Sequence, residues 1–255
     1  MGQAFLPAVF VMNNKVALIT GGARGIGRAV ALALAARGYR VAIAWRTSSE
    51  AAEETLAAIR GHGVEGLSIR ADVSVPEEVA ALVARVEQEW GRIDVLVNGA
   101  GPYHRVALLE ETIDGWQEMF DNNLHPVFYL SRAVAPGMKE RRYGRIVSFG
   151  MANADQGVAQ PHVTGHYIAK AGILILTRTL ARVLAPYGVT VNAISPGFID
   201  SGSAPADELE KMVKTIPAGY VGTVDDTVNA VLYLLSDEAR YVNGANIILS
   251  GAWGV

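Results

Sequence analysis

Strand-like apolar runs alternate with helical patterns along almost the whole chain, and this alternation constrains the fold more than any other feature. The runs are continuously hydrophobic, which is typical of strands buried on both faces of a parallel sheet. Seven strands are predicted, at residues 15–20, 40–45, 66–70, 93–98, 144–150, 189–195 and 246–250. Helical stretches such as GRAVALALAARG separate them. Repeated strand–helix units predict an α/β fold with a doubly wound sheet.

The composition fits one large domain. With 255 residues and 51% hydrophobic content, the chain can bury a sizeable core. The net charge of −3 and the scattered Lys and Arg argue against nucleic acid or an anionic membrane as a partner. The lack of cysteine is compatible with the cytoplasm, where we expect the protein. Residues 1–14 are interpreted as an N-terminal extension without signal-peptide features, and residues 15–255 as the domain.

A glycine-rich turn, TGGARGIGRAV, joins the first predicted strand to the following helix. Gly21 permits a tight turn, Gly25 lets the backbone approach a pyrophosphate, and Gly27 allows the helix and strand to pack closely. The helix N-terminus then offers free N–H groups and a positive dipole end to phosphate. The pattern in this context predicts a dinucleotide-binding site.

Together with further segments, this turn resembles the short-chain dehydrogenase/reductase family. The segments are TGGARGIGRA, NGAG, GRIVSFG, AKAGILILTRTLA, YGVTVNAISPG and YVNGANIILSGAW. The resemblance covers nearly everything from Lys15 to the C-terminus. It implies a single-domain, Rossmann-type, seven-stranded parallel sheet. It also implies hydride transfer between a nicotinamide cofactor and a carbonyl or alcohol substrate, such as a 3-oxoacyl compound or another small carbonyl compound.

The end of the second predicted strand, AWRTSS, bears on the choice of cofactor. NAD-specific relatives carry an acidic residue there that accepts hydrogen bonds from the ribose. Here Trp45 takes that position and Arg46 follows. An anionic 2′-phosphate would be favoured by Arg46, Arg24 and the hydroxyls of Thr47 and Ser48. NADP is therefore the predicted cofactor, with NAD as the alternative.

The resemblance implies further cofactor contacts. Asp72 matches the residue that receives the adenine amino group, Ile199 is expected near the carboxamide, and Ser201 near the phosphates. The remaining expected contacts are Ile26, Val73, Asn98, Gly99, Ala100, Gly101, Lys170, Pro196 and Gly197.

The catalytic residues of the resembled family are a tyrosine that donates a proton, a lysine one helical turn later, a strand-end serine and an asparagine. Lys170 matches the lysine through the segment KAGILILTRTLA, and Asn123 matches the asparagine. Counting back four residues from Lys170 gives His166, and Tyr167 stands one place too close. The serine position aligns with Met151, which we expect to line the pocket.

The stretch GHYIAKAGIL leaves three interpretations open. Gly165 weakens the helix start, so we expect a late or distorted start that turns Tyr167 toward the cleft as the proton donor. Alternatively His166 is the acid, since a histidine titrates near neutral pH. In the third interpretation the protein binds the cofactor without turnover, as a sensor or a partner subunit.

The substrate pocket is expected between the segments 101–111, 151–166 and 197–220. Tyr103, His104 and Phe198 should line it together with Met151. The histidines and carboxylates show no metal-ligand spacing, so no catalytic metal is expected.

Two predicted helices, 125–140 and 170–185, carry more apolar surface than one sheet face can bury. In the resembled family these helices form a contact between subunits. We therefore expect a homotetramer, with a dimer as the alternative.

Overall fold

The computed structural model describes residues 14–201 and 206–254, and seven of its strands form one parallel sheet. These are β1 (Val16–Thr20), β2 (Arg40–Trp45), β3 (Gly66–Arg70), β4 (Val95–Asn98), β5 (Gly144–Phe149), β6 (Val189–Pro196) and, last in the chain, β9 (Asn246–Leu249). Two short strands, β7 (Ile199–Asp200) and β8 (Gly222–Thr223), pair separately. Every strand predicted from the sequence is present, with ends that differ by at most two residues.

Seven α-helices connect the described strands. They are α1 (Gly25–Ala35), α2 (Ser49–Gly61), α3 (Pro76–Trp90), α4 (Ile113–Arg141), α5 (Thr164–Leu184), α6 (Ala206–Val213) and α7 (Val224–Leu235). No helix in the described part of the chain is long and apolar enough to cross a membrane. Of the predicted N-terminal extension, residues 1–13 lie outside the described part.

The helices cover both faces of the sheet because consecutive strand residues point to opposite sides. Leu18 packs into the core formed with α3, α4 and α5, whereas the adjacent Ile19 packs into the core formed with α1, α2 and α7. Both side chains are fully buried. This double burial explains why the strands are continuously hydrophobic in the sequence.

The strand order is β3-β2-β1-β4-β5-β6-β9. The chain runs outward from β1 to β3 on one side and then crosses back to β4 on the other side of β1. Such a reversal leaves a crevice at the carboxyl ends of the strands, which is where open α/β sheets bind ligands. The glycine turn after β1 lies at this point.

Candidate active site

The turn between β1 and α1 is packed too tightly for side chains. Gly21 has a φ of +66°, and a Cβ added to it would lie 2.9 Å from the carbonyl oxygen of Gly99. A Cβ on Gly27 would collide with the carbonyl oxygen of Gly21. α1 begins at Gly25, and the side chain of its N-cap residue, Arg24, makes no capping hydrogen bond. The N-terminal N–H groups of α1 can therefore bind a phosphate.

A cavity of about 440 Å³ lies beside this turn, at the carboxyl ends of β1, β2 and β4. Its volume is in the range of small-molecule sites. It is lined by residues predicted to bind the cofactor, namely Gly21, Arg46, Thr47, Ser48, Asp72, Val73, Gly99, Ala100 and Gly101. Thr20, Ala44, Trp45, Ala71, Pro102 and Asn122 complete its wall. We call it the nucleotide cavity.

Arg46 and Asp72 face each other in the nucleotide cavity. The Nη1 atom of Arg46 lies 2.8 Å from Oδ1 of Asn122 and 3.4 Å from Oδ2 of Asp72. Burial alone would raise the pKa of Asp72, but hydrogen bonds from Ser74 and the charge of Arg46 outweigh it and lower this pKa. Asp72 is thus held as an anion that accepts hydrogen bonds. Arg46 is half-exposed and lies where a phosphate could bind it.

Other residues predicted to contact the cofactor lie outside the nucleotide cavity. Arg24, Gly25 and Ser201 border a separate surface cavity that also contains Glu50 and Glu54. Arg24 and Arg46, both predicted to favour a 2′-phosphate, thus line different cavities.

Three more expected contacts also lie outside the nucleotide cavity. Asn98 is buried, and its Nδ2 donates to Oγ of Ser148 at 3.0 Å. This hydrogen bond links β4 to β5 beside the crevice. Ile26 packs against the core on the α1 side of the sheet. Ile199 lines a small cavity together with Phe198 and Gly222.

The second large cavity, of about 570 Å³, is called the substrate cavity here. It includes Tyr103, Met151 and Phe198, which were expected to line the substrate pocket, and Pro196 and Gly197, which were expected to contact the cofactor. Its other lining residues are Arg105, Gly150, Gln160, Pro161, His162, Val163, His166, Met212 and Trp253. The two cavities meet along residues 101–103, since Gly101 and Pro102 line the first and Tyr103 the second.

His104 was expected in the substrate cavity but does not line it. Its Nε2 lies 2.6 Å from Oε2 of Glu111, and this pairing holds the ring against its own loop. Arg105, Gln160 and His162 line the cavity from segments that were expected to form the pocket, although they were not named as site residues. Trp253 lies outside those segments, and no periodicity in the sequence marks it.

Asn123 and Lys170 converge where the two cavities meet. A Cβ on Gly101 would lie 2.5 Å from Oδ1 of Asn123 and 3.5 Å from Nζ of Lys170. Nδ2 of Asn123 donates to the carbonyl oxygens of Met119 and Pro102, at 3.0 and 3.1 Å. Its buried Oδ1 has no partner among the described residues. Buried polar atoms are rarely left unpaired, so this oxygen suits a bound water or ligand.

His166 presents its ring to the substrate cavity from the first turn of α5. The side chain is buried, and the ring stacks edge-on against Tyr103 with centroids 5.1 Å apart. Its Nδ1 has no hydrogen-bond partner within the described chain. A buried imidazole nitrogen without a partner at a cavity wall is available to a ligand.

The pKa values of His166 and Lys170 are both lowered. Burial, reinforced by the positive charge of Lys170, lowers the pKa of His166 from 6.5 to about 4. Burial lowers the pKa of Lys170 from 10.5 to about 8, and its Nζ donates to the carbonyl oxygen of Phe149 at 3.0 Å. At neutral pH His166 is therefore uncharged, while Lys170 titrates close to neutrality.

The expected late start of the helix is wrong. α5 begins at Thr164, before Gly165, because the hydroxyl of Thr164 donates to the carbonyl oxygen of Gln160 and the N–H of Tyr167 donates to that of Val163. The helix is therefore regular from its first turn. His166, four residues before Lys170, lies on the face of α5 that meets the substrate cavity.

Tyr167 is turned away from the substrate cavity and holds a loop. Its hydroxyl donates to the carbonyl oxygen of Asn153 at 2.7 Å and accepts from the N–H of Val158 at 3.1 Å. Only 6% of its surface is exposed. The structure thus places Tyr167 as an anchor for the segment 153–158, in contrast to the expectation that it faces the cleft.

Met151 lines the substrate cavity where the resembled family has its serine, as expected. The nearest serine on the preceding strand, Ser148, is buried and bonded to Asn98. The carbonyl-orienting hydroxyl of the resembled family thus has no equivalent at this position.

The nucleotide cavity lies where the strand order of the sheet reverses, and it meets the substrate cavity near the buried Lys170. This arrangement defines a dinucleotide-dependent enzyme. The chain belongs to the short-chain dehydrogenase/reductase family: its residues 21–252 match the family model described as enoyl-(acyl carrier protein) reductase. It is thus an NAD(P)-dependent oxidoreductase.

Individual relatives agree with this assignment. The chain is 39% identical to 3-oxoacyl-[acyl-carrier-protein] reductase FabG of Staphylococcus aureus (strain Mu50) over 241 residues, which are 93% of this chain and 97% of that protein. A putative short-chain alcohol dehydrogenase from Sinorhizobium meliloti 1021 matches with a TM-score of 0.88 and 30% identity, covering 96% of this chain and 98% of its own. An NAD⁺-bound xylitol dehydrogenase matches with a TM-score of 0.87 and 30% identity, covering 95% of this chain and 100% of its own.

Proposed function

We propose that the protein is an NADP(H)-dependent reductase of small carbonyl compounds in which His166 faces the carbonyl oxygen. One observation carries the proposal: the buried ring of His166, whose Nδ1 has no partner among the described residues, lines the substrate cavity one turn before the buried Lys170. The relatives named as 3-oxoacyl reductases make 3-oxoacyl compounds the first class to test.

The residues present fit a nicotinamide dinucleotide. Gly21 and the N-terminus of α1 would hold the pyrophosphate, Asp72 and Arg46 the adenosine half, and Lys170 the nicotinamide ribose. The unpaired Oδ1 of Asn123 beside Gly101 fits a group bound at the junction of the cavities. When bound, the nicotinamide supplies the hydride.

His166 and Lys170 supply the proton in this scheme. The ring also forms a hydrogen bond with the backbone of Pro102. Because a proline backbone offers only a carbonyl acceptor, this bond uses the single N–H of the neutral imidazole. In this scheme bound substrate shifts the ring to the tautomer with the proton on Nδ1, which then donates to the carbonyl oxygen and stabilises the charge that develops there. As this proton moves to the oxygen, the other ring nitrogen takes one from the Lys170 ammonium. The imidazole therefore passes a proton without becoming charged, which fits its pKa of about 4. Lys170 regains its proton from solvent, and the unpaired Oδ1 of Asn123 suits a water molecule on that route.

The second candidate function is cofactor binding without reduction, and Met151 favours it because a thioether replaces the hydroxyl that would orient a carbonyl. An NADPH titration beside an NADPH-oxidation assay over a panel of 3-oxoacyl thioesters, ketones and aldehydes separates the two functions. We expect binding together with oxidation by at least one carbonyl class. Tight binding with no oxidation by any class would support the second candidate.

The choice of NADP rests on Arg46, whose half-exposed guanidinium lines the nucleotide cavity. Replacing Arg46 with Asp should shift the ratio of NADPH to NADH affinity toward NADH by more than about tenfold, because charge-assisted contacts to phosphate are worth over about 1 kcal/mol each. Fluorescence titrations with both cofactors measure the ratio. Arg37→Asp, at an exposed position just after α1, makes the same charge change outside the cavity and should leave the ratio unchanged. Equal affinities of the unaltered protein for both cofactors would contradict the proposal.

We also propose a cytoplasmic homotetramer. The lack of cysteine supports the compartment. The assembly is supported by exposed apolar residues on α4 and α5, where Phe128 is 45%, Ile168 43%, Ile175 64% and Val183 58% exposed. The three α5 residues are seven and eight positions apart and share one helix face. An apolar face of this kind marks a subunit contact.

Light scattering at micromolar concentration should give the mass of a tetramer. Ile175→Glu places a charge in the proposed contact and should reduce the measured mass, since burying an unpaired carboxylate is unfavourable. Ala57→Glu, on the exposed face of α2 at the far edge of the sheet, should leave it unchanged. A monomeric mass for the unaltered protein would refute the assembly.

A further inference from the structure

One wall of the substrate cavity combines a cation with neutral hydrogen-bond donors. Val106 donates its N–H to the carbonyl oxygen of His162 at 2.8 Å, and Leu108 donates to that of Pro161 at 2.9 Å. These two bonds join the loop after β4 to the segment before α5. As a result Arg105, Gln160 and His162 all line the cavity.

The described residues do not neutralise the cation on this wall. Within the described part of the chain Arg105 makes no salt bridge, and the described residues that line the cavity include no Asp or Glu. On the same loop, the carboxylate of Glu111 is hydrogen-bonded to the ring of His104. The exposed Glu110 does not line the cavity.

Much of the remaining lining is apolar. It includes Met151, Phe198, Met212 and Trp253, and the rings of Phe198 and Trp253 pack with centroids 4.8 Å apart. A ligand in this cavity therefore meets an apolar surface, the imidazole of His166 and the guanidinium of Arg105. Small-molecule sites commonly combine apolar walls with a few polar groups that fix orientation.

We propose that the carbonyl substrate carries an oxyanion, in the first instance a carboxylate, which Arg105 binds while the carbonyl lies at His166. The inference rests on the proposed function. The planar guanidinium presents a fork of donors that matches a carboxylate in a bidentate manner, and the Gln160 amide supplies a further donor. An oxo acid would use all of these groups, whereas a neutral ester or thioester would leave Arg105 without a partner. A phosphate monoester offers the same chemistry from a second source.

Matched acid and ester probes test this inference. NADPH oxidation is measured with acetoacetate and levulinate, with their methyl esters, and with dihydroxyacetone phosphate beside dihydroxyacetone. We expect kcat/KM to be about 10- to 100-fold higher for the anion of the preferred pair than for its neutral partner, as charge-assisted hydrogen bonds imply. Arg105→Gln should remove most of that preference through KM, Arg105→Lys should restore part of it, and Arg37→Gln should leave it intact. A preference seen only for dihydroxyacetone phosphate over dihydroxyacetone would support the claim that the substrate carries an oxyanion, and would identify that oxyanion as a phosphate.

Binding gives a readout that does not depend on turnover. The NADP⁺-loaded protein is titrated by calorimetry with 3-hydroxybutyrate, methyl 3-hydroxybutyrate and glycerol 3-phosphate. An anion that binds more tightly than the ester, and that loses this advantage in Arg105→Gln, supports the inference even if no carbonyl is reduced. The lack of any carbonyl reduction would overturn the proposed function alone. Equal binding of anions and ester, or an equal effect of Arg105→Gln on all of them, would overturn the inference even in an active reductase.

Discussion

Replacing His166 with phenylalanine should lower kcat for carbonyl reduction by about 10²- to 10⁴-fold, the usual contribution of a positioned proton donor. The reason is that His166 presents an unpartnered ring nitrogen to the substrate cavity. NADPH affinity should be retained, because His166 does not line the nucleotide cavity. Stopped-flow measurement of single-turnover NADPH oxidation, beside a fluorescence titration of NADPH, separates the two quantities.

Tyr167→Phe is the matched control, since it removes one polar group from the adjacent residue. It breaks the hydrogen bonds to Asn153 and Val158 and should lower the free energy of unfolding by about 1–3 kcal/mol. Most of the turnover should remain. Loss of turnover in Tyr167→Phe with normal turnover in His166→Phe would show that the phenol is the donor.

Replacing Lys170 with methionine should abolish turnover and yet stabilise the fold at pH 7. The folded-state pKa of Lys170 is about 8, below its ordinary 10.5. Between these values the unfolded chain binds more protons, so the destabilisation by the buried ammonium is fully present below pH 8 and disappears as the pH rises to 10.5. Removing it should raise the free energy of unfolding by about 1–3 kcal/mol, after allowing for the lost hydrogen bond to Phe149.

Urea unfolding at pH 7 and at pH 10.5 measures this effect, and the gain should vanish at the higher pH. Lys214→Met removes the same charge from an exposed position and should change stability little. In the unaltered enzyme the rate of reduction should fall as the pH rises through about 8, because Lys170 then loses the proton that it supplies. Destabilisation by Lys170→Met at pH 7, or a rate that falls with a midpoint near 6.5, would contradict this assignment.

The sheet and the nucleotide cavity could be predicted from the sequence because local patterns determine them. Continuous apolar runs mark strands buried on two faces, and the glycines of the first turn are needed where Gly27 packs on Gly21. Arg46 lies one residue after the end of β2 and Asp72 two residues after the end of β3, so their meeting in one cavity follows from the parallel order of the strands.

The orientation of His166 and Tyr167 was harder to predict because it depends on where α5 begins. Gly165 suggested a late start, but the hydroxyl of Thr164 begins the helix one residue earlier by bonding to Gln160. The position of Arg105 depends on a pairing between two distant loops, at Val106 and His162, and no sequence periodicity reports such a pairing.

The central claim, that His166 and not Tyr167 faces the carbonyl, is tested most directly by a crystal structure with NADP⁺ and a bound alcohol product. We predict a ring nitrogen of His166 within hydrogen-bond distance of the product hydroxyl, with the Tyr167 hydroxyl still between Asn153 and Val158. A Tyr167 hydroxyl that has left these two partners to contact the product, with His166 turned away from it, would contradict the claim.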